Sequence, residues 1–488
     1  MDILEWLKEM NVPVAIWIIG IAAVIITIID IYKNGSELIE LGRRIGKGFR
    51  KLFSITRTLR RRRYNKALST EEYLEWQKDV LHKIYLPVIE KYNAISNLKC
   101  TVANRFGYEY DAVYFAANPV NYPFKGVAEK DKLGDFPLRV VKKGNGYKIK
   151  YDKKSVPSVA RKYYKLLKST IHFPDNIGYM LDKITFGENS DMHFSAYPST
   201  YLTNVYTSNA MEYELYKFYK KLKRTSGRAP SEALHGMTVA QVLKALPMRS
   251  AIHDKVIKKY AAKSDGDVTA AVTKILTDGA GRASLLGVQA MVFCKNKTGG
   301  YDVLRIRRSE NVDAKAGFLQ FIPSGGFSAL DSGIGHDTQV ANFSLSKAIL
   351  RELLEECFGE EDFSGRKNQS AESIYSDPVI KSLNLLENGG KAFSFIGTAL
   401  NLANLRHELC FVLEISDFDV IDKIRSNEEC DNVIQFISAD RLKNEKFWIY
   451  NFGGEERCDH KKLNPTSAAL WNLVEELQSK LQSKDKIQ

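Results

Sequence analysis

The stretch from Ser344 to Gly359, SLSKAILRELLEECFG, constrains the fold of this chain more than any other. Read as a helix, it sets Ile349, Leu350, Leu353 and Cys357 on one side at the spacing a buried wall requires. Ser344 suits the N-cap and Gly359 the stop. Glu352, Glu355 and Glu356 fall at i, i+3 and i+4, so three carboxylates share a face one turn long. Carboxylates packed so closely repel one another unless a cation or an arginine sits among them. Hard divalent ions such as Mg²⁺ take oxygen ligands and serve sites that handle phosphates. On spacing alone, a solvated Glu-rich face is the competing reading.

The surroundings narrow the choice. Upstream lie two apolar strands, Gly287 to Cys294 and Asp302 to Arg307, and then the run GFLQFIPSGGF from Gly317 to Phe327. Downstream come strands at Phe393 to Ala399 and Leu409 to Ile415, with a helical stretch from Pro465 to Leu481. Arg351, Glu352, Leu353, Glu355 and Glu356 match the R-E-U-x-E-E half of the motif G-x5-E-x7-R-E-U-x-E-E-x-G-U, where U is bulky and apolar, and Gly325 and Gly326 look like the glycines that open it. This arrangement resembles the Nudix hydrolase family over residues 283–485.

The chain departs from the family pattern in three places. Gly326 to Arg351 spans twenty-five positions, about eleven more than the family motif allows. Phe343 stands eight residues before Arg351, where the family carries its first Glu, and Phe358 takes the later Gly position.

The resemblance implies a Mg²⁺ or Mn²⁺ cofactor bound by Glu352 and Glu356, by Glu355 directly or through water, and by the Gly325 carbonyl. It further implies that Arg351 holds the carboxylates by an ion pair, and that Arg351 and Gly326 line the substrate side. The reaction would be attack of a metal-activated water on a nucleoside-diphosphate-type bond, with Glu355 and Glu356 in the catalytic group. The general base in this family often comes from a separate loop, for which Glu408, Glu455 and Glu456 are the candidates.

Toward the N-terminus, Val12 to Ile29 runs eighteen residues without a charge, enough to span a bilayer. From Lys33 to Lys66 there are twelve basic residues against Glu37 and Glu40, so the positive-inside rule puts that flank, and the body after it, in the cytoplasm. Leu38, Leu41, Ile45, Leu52, Ile55 and Leu59 recur among the basic residues at helical spacing, as in an amphipathic helix lying on anionic lipid. That segment supplies ten of the thirteen net positive charges, which leaves the rest of the chain nearly balanced and gives no clear nucleic-acid site.

Residues 70–225 read as a mixed α/β domain of no recognised family, holding eighteen of the twenty-four tyrosines. Its helical stretches are Thr70 to Asn93, Val156 to Ser169 and Glu212 to Leu222, with strands at Asp111 to Ala116 and Gly146 to Tyr151. Tyrosine enrichment suits a binding surface, with an ordinary mixed core the favoured reading. Residues 231–282 read as a helical connector.

The six cysteines include no Cys-x-x-Cys pair, which suits a reducing compartment. Cys458 and His460 make only a weak zinc signal, and Asp331, His336 and Asp337 in the insertion could reach the expected metal, although a disordered or lid-like loop is the simpler expectation. The sequence thus predicts an α+β protein: a transmembrane helix at 12–32, a basic segment at 33–66, the mixed domain, the connector, and a Nudix-like α/β/α sandwich with a mixed sheet at 283–488. Its expected partners are a nucleotide-type small molecule, membrane lipids and a second copy of the chain. The alternative function is a nucleotide sensor that binds without turnover.

Overall fold

The computed structural model describes residues 60–121, 128–129, 138–143, 146–151, 157–167, 177–187, 191–261, 267–308, 315, 317–328, 343–359, 373–385, 392–425, 434–445 and 460–485. Met1–Arg63 and Tyr64–Gln488 separate into two compact units, and the second holds every element below.

Its helices of ten residues or more are α1 (Glu71–Ile95), α2 (Ser158–Leu167), α3 (Ala210–Thr225), α4 (Pro247–Ala261), α5 (Leu345–Phe358) and α6 (Pro465–Asp485). The strands are β1 (Cys100–Arg105), β2 (Tyr108–Asn121), β3 (Ala128–Glu129), β4 (Leu138–Lys143), β5 (Gly146–Tyr151), β6 (Ile177–Phe186) and β7 (Met192–Thr200). After them come β8 (Gly287–Lys295), β9 (Tyr301–Arg307), β10 (Leu319–Phe321), β11 (Ser324–Gly326), β12 (Phe393–Asn401), β13 (Arg406–Ile415) and β14 (Gln435–Ser438).

A nine-stranded sheet organises the unit in the order β1-β2-β12-β13-β8-β9-β10, with β11 paired to β8 and β14 to β9. It is mixed, because β13 runs parallel to β8 while its other pairs are antiparallel. Side chains alternate along β8: Val288, Ala290 and Val292 join Ile349, Leu350 and Leu353 of α5 in one core, while Met291 joins Ala469, Leu470 and Leu473 of α6 in another. The sheet is therefore sandwiched between α5 and α6. A third core gathers α1, α3 and α4 around Trp76, Tyr216 and Val256 and takes in Leu402 and Leu405 of the β12–β13 turn.

Residues on both sides of the expected domain borders share this sheet. β2 pairs with β12 from Ala112↔Asn401 to Asn121↔Ser394, so strands from the tyrosine-rich region form one end of the sheet that α5 packs against. The tyrosines serve mainly as packing: Tyr73, Tyr216 and Tyr219 are buried with Trp76, and the Tyr73 and Tyr219 rings meet edge to face at 5.1 Å.

The membrane expectation is corrected. Among the described residues no helix is long and apolar enough to cross a bilayer. The long helices α1 and α6 carry charge among their apolar positions, for instance Glu72, Lys78 and Lys83 in α1 and Glu475, Glu476 and Lys480 in α6. The single-pass topology, the transmembrane helix in the fold class and the cell-membrane location therefore have no support in the described residues. The stretch 12–32 that prompted them, and residues 33–59 of the basic segment, lie outside those residues.

Candidate active site

The helix α5 begins where Ser344 accepts the Lys347 backbone N–H at 3.4 Å and ends at Gly359, whose φ of +67° is left-handed. Its core face fixes which way the charged face looks. Arg351 and Glu352 are buried there, and Glu355 and Glu356 keep part of their surface open.

Arg351 ties this face to the loop after β11. Its guanidinium donates to the Gly326 carbonyl at 2.8 Å and the Ser328 carbonyl at 3.1 Å, and it pairs with the Glu352 carboxylate. Its Nε lies 3.7 Å from Glu355 Oε1. The ion-pairing role that the resemblance implied for Arg351 is thus present in the geometry, and the guanidinium is occupied by protein groups.

Glu352 and Glu356 lie against β11 from the helix side. Gly325 has no side chain for a physical reason: a β-carbon there would overlap the Glu352 carboxylate. The Ser324 backbone N–H donates to Glu356 Oε2 at 2.6 Å. Burial, and then the charge of Glu352, push Glu356 up to about 8, against the opposing pull of the Ser324 N–H and of Arg308. Two hard oxygen donors thus lie against the opening strand from the same side.

The expected three-carboxylate metal group is corrected. Among the described residues no set of three or more His, Cys, Asp or Glu side chains is placed to hold a metal ion. Helical spacing does put the three glutamates on one face, but their partners spread them: Glu355 and Glu352 turn to Arg351, while Glu356 turns to Ser324.

Glu408 sits on β13 opposite Gly287 of β8, so close that a β-carbon on Gly287 would come within 2.8 Å of its Cγ. Its Oε2 accepts the Thr466 hydroxyl at 2.9 Å, at the start of α6. It thereby belongs to the opposite face of the sheet from α5. Glu455, Glu456, Cys458, Asp331, His336 and Asp337 lie outside the described residues.

Phe343 stands eight residues before Arg351, where the resemblance implies a carboxylate. Its ring packs against Phe327 at 4.8 Å and Tyr179 at 4.9 Å, so an aromatic cluster occupies that end of the site.

Sequence reasoning missed Ser324, Ser328 and Arg308. Ser324 was within reach, since it precedes the glycine pair in PSGG, but a backbone N–H leaves no mark on residue type. No family model matches this chain, and no curated protein matches it in sequence.

Proposed function

We propose that the α5 face acts on a nucleoside-diphosphate-type bond, as a Nudix-type pyrophosphohydrolase. The observation that carries the reading is the placement of Glu352 and Glu356 at the Gly325 strand, one held by Arg351 and the other by the Ser324 N–H.

Two neighbouring carboxylates repel a diphosphate unless a cation lies between, and their all-oxygen donor set suits Mg²⁺ or Mn²⁺. Glu352 and Glu356 are the residues that would hold such an ion. When bound, it would neutralise charge on the phosphate oxygens and acidify an attacking water. Arg351 orients Glu352, and the Ser324 N–H orients Glu356, so both present their oxygens without further reorganisation.

The test uses the full chain, Mg²⁺ and a panel of ADP-ribose, dinucleotides and nucleotide sugars, beside Glu356→Gln. That variant keeps an acceptor for Ser324 and should fold. Cleavage by the wild type and its loss in the variant is the expected result. Absence of cleavage across the panel would remove the hydrolase reading.

A second reading is favoured by Phe343, whose aromatic neighbours fill the place of a family carboxylate. On it the fold binds a nucleotide without turnover. It would be supported by a compound that raises the unfolding midpoint yet emerges intact.

A further inference from the structure

Two arginines that the α5 face does not use are fully buried. Arg249 of α4 and Arg282, in the loop before β8, are each 0% exposed. Arg249 donates to the Tyr85 hydroxyl at 2.7 Å and to the Leu402 and Ala403 carbonyls at 2.8 and 2.6 Å. Arg282 donates from Nε to the Leu405 carbonyl at 3.2 Å, and both its terminal nitrogens are buried with no partner. Neither guanidinium forms an ion pair with a carboxylate among the described residues.

His253 completes the cluster one turn along α4 from Arg249. It is buried, its ring centre stands 5.7 Å from that of Tyr85, and its Nε2 also has no partner. Gly281, with φ of +82°, lies against the Ile252 backbone and brings Arg282 to this spot. Burial draws Arg282 down to about 10, and burial with the two arginine charges draws His253 down to about 3. Asp278 is near enough to favour the charged Arg282, but its carboxylate already receives Lys259 Nζ at 2.7 Å and the Tyr260 hydroxyl.

A buried guanidinium with open donors is strongly penalised unless something accepts from it. Water would satisfy the donors but add no negative charge beside two guanidiniums, of which Arg249 has the Glu214 carboxyl and Arg282 the Asp278 carboxylate nearby. An anion would do both. We propose that Arg282, Arg249 and His253 enclose a small inorganic anion, of the size of chloride or phosphate, as a structural ligand of the folded chain. This site is independent of the α5 carboxylates, so its test does not depend on the hydrolase reading.

The full chain is dialysed into gluconate, and its thermal unfolding midpoint is followed as chloride or inorganic phosphate replaces gluconate at constant ionic strength. A saturable rise of several degrees with one of the two is the expected result. Arg282→Met should abolish that dependence. Equal midpoints in all three salts would overturn the proposal, as would a variant that unfolds higher than the wild type in every salt, which marks the guanidinium as an uncompensated charge and nothing more. Should the variant fail to fold, wild-type crystals grown in bromide provide the second measurement. An anomalous peak within hydrogen-bond reach of the Arg282 terminal nitrogens is expected there, and none at that position refutes the site.

Discussion

Gly325 leaves room that the Glu352 carboxylate fills, and a methyl group would take that room. Gly325→Ala should therefore destabilise the fold by about 1–3 kcal/mol, the usual cost of overpacking, as read from urea unfolding. On the proposed hydrolase reading it should also abolish cleavage, because Glu352 must swing away from the strand. Arg351 is bound more widely, to two carbonyls and to Glu352. Arg351→Met leaves that buried carboxylate uncompensated, and a loss of about 3–5 kcal/mol is expected in the same experiment. Spacing along the helix made the glutamates legible in the sequence, since i, i+3 and i+4 define a face whatever surrounds them. Their partners were not legible. Which carboxylate meets Arg351 and which meets the Ser324 N–H is decided by a strand about twenty-five residues away, and nothing in the helix encodes it.

At the scale of elements, α5 was the most readable part of the chain, because cap, apolar stripe and terminal glycine agree in one short stretch. The helix expected at Thr70 to Asn93 appears as Glu71–Ile95, and the strands expected at Phe393 to Ala399 and Leu409 to Ile415 extend to Asn401 and back to Arg406. The start of α4 was less readable, since its cap comes from another helix. Glu214 of α3 accepts the Met248 N–H at 2.6 Å and the Arg249 N–H at 3.3 Å. Burial pushes this carboxyl up to about 7 from 4.5, against those donors and the Arg249 charge. Between the two values the folded chain keeps a proton that the unfolded chain has released, so this contribution is full below 4.5 and is lost as the pH rises through 7. Glu214→Gln retains an acceptor and cannot ionise. Its stability relative to the wild type should rise between about pH 5 and about pH 8, as calorimetry at both would show. A relative stability that falls over that range would refute the assignment.

For the molecule as a whole, His407 sets the opposite limit. It is fully buried, its Nε2–H donates to the Leu276 carbonyl at 2.9 Å, and burial with the Arg282 charge draws it down to about 3. The unfolded chain takes up a proton from 6.5 downward that the folded chain refuses, so stability present above 6.5 drains as the pH falls toward 3. By about pH 4.5 the loss from this one residue reaches roughly 2–3 kcal/mol. His407→Gln should be less stable than the wild type near neutrality and should close that gap as the solution is acidified, a crossing that unfolding midpoints at several pH values would reveal. The joining of the tyrosine-rich region to the sheet beneath α5 was beyond the sequence, because strand pairing between Ala112 and Asn401 links positions that share no local pattern.

That shared sheet bears on how such a chain could have been assembled. A gene segment encoding only residues 283–488 would deliver β12 with its β2 side bare, a long apolar edge open to any other strand. Recombination that moved the glutamate helix to a new host without the strands at residues 100–121 would thus transplant an unfinished sheet. The two regions are expected to have been inherited as one indivisible unit.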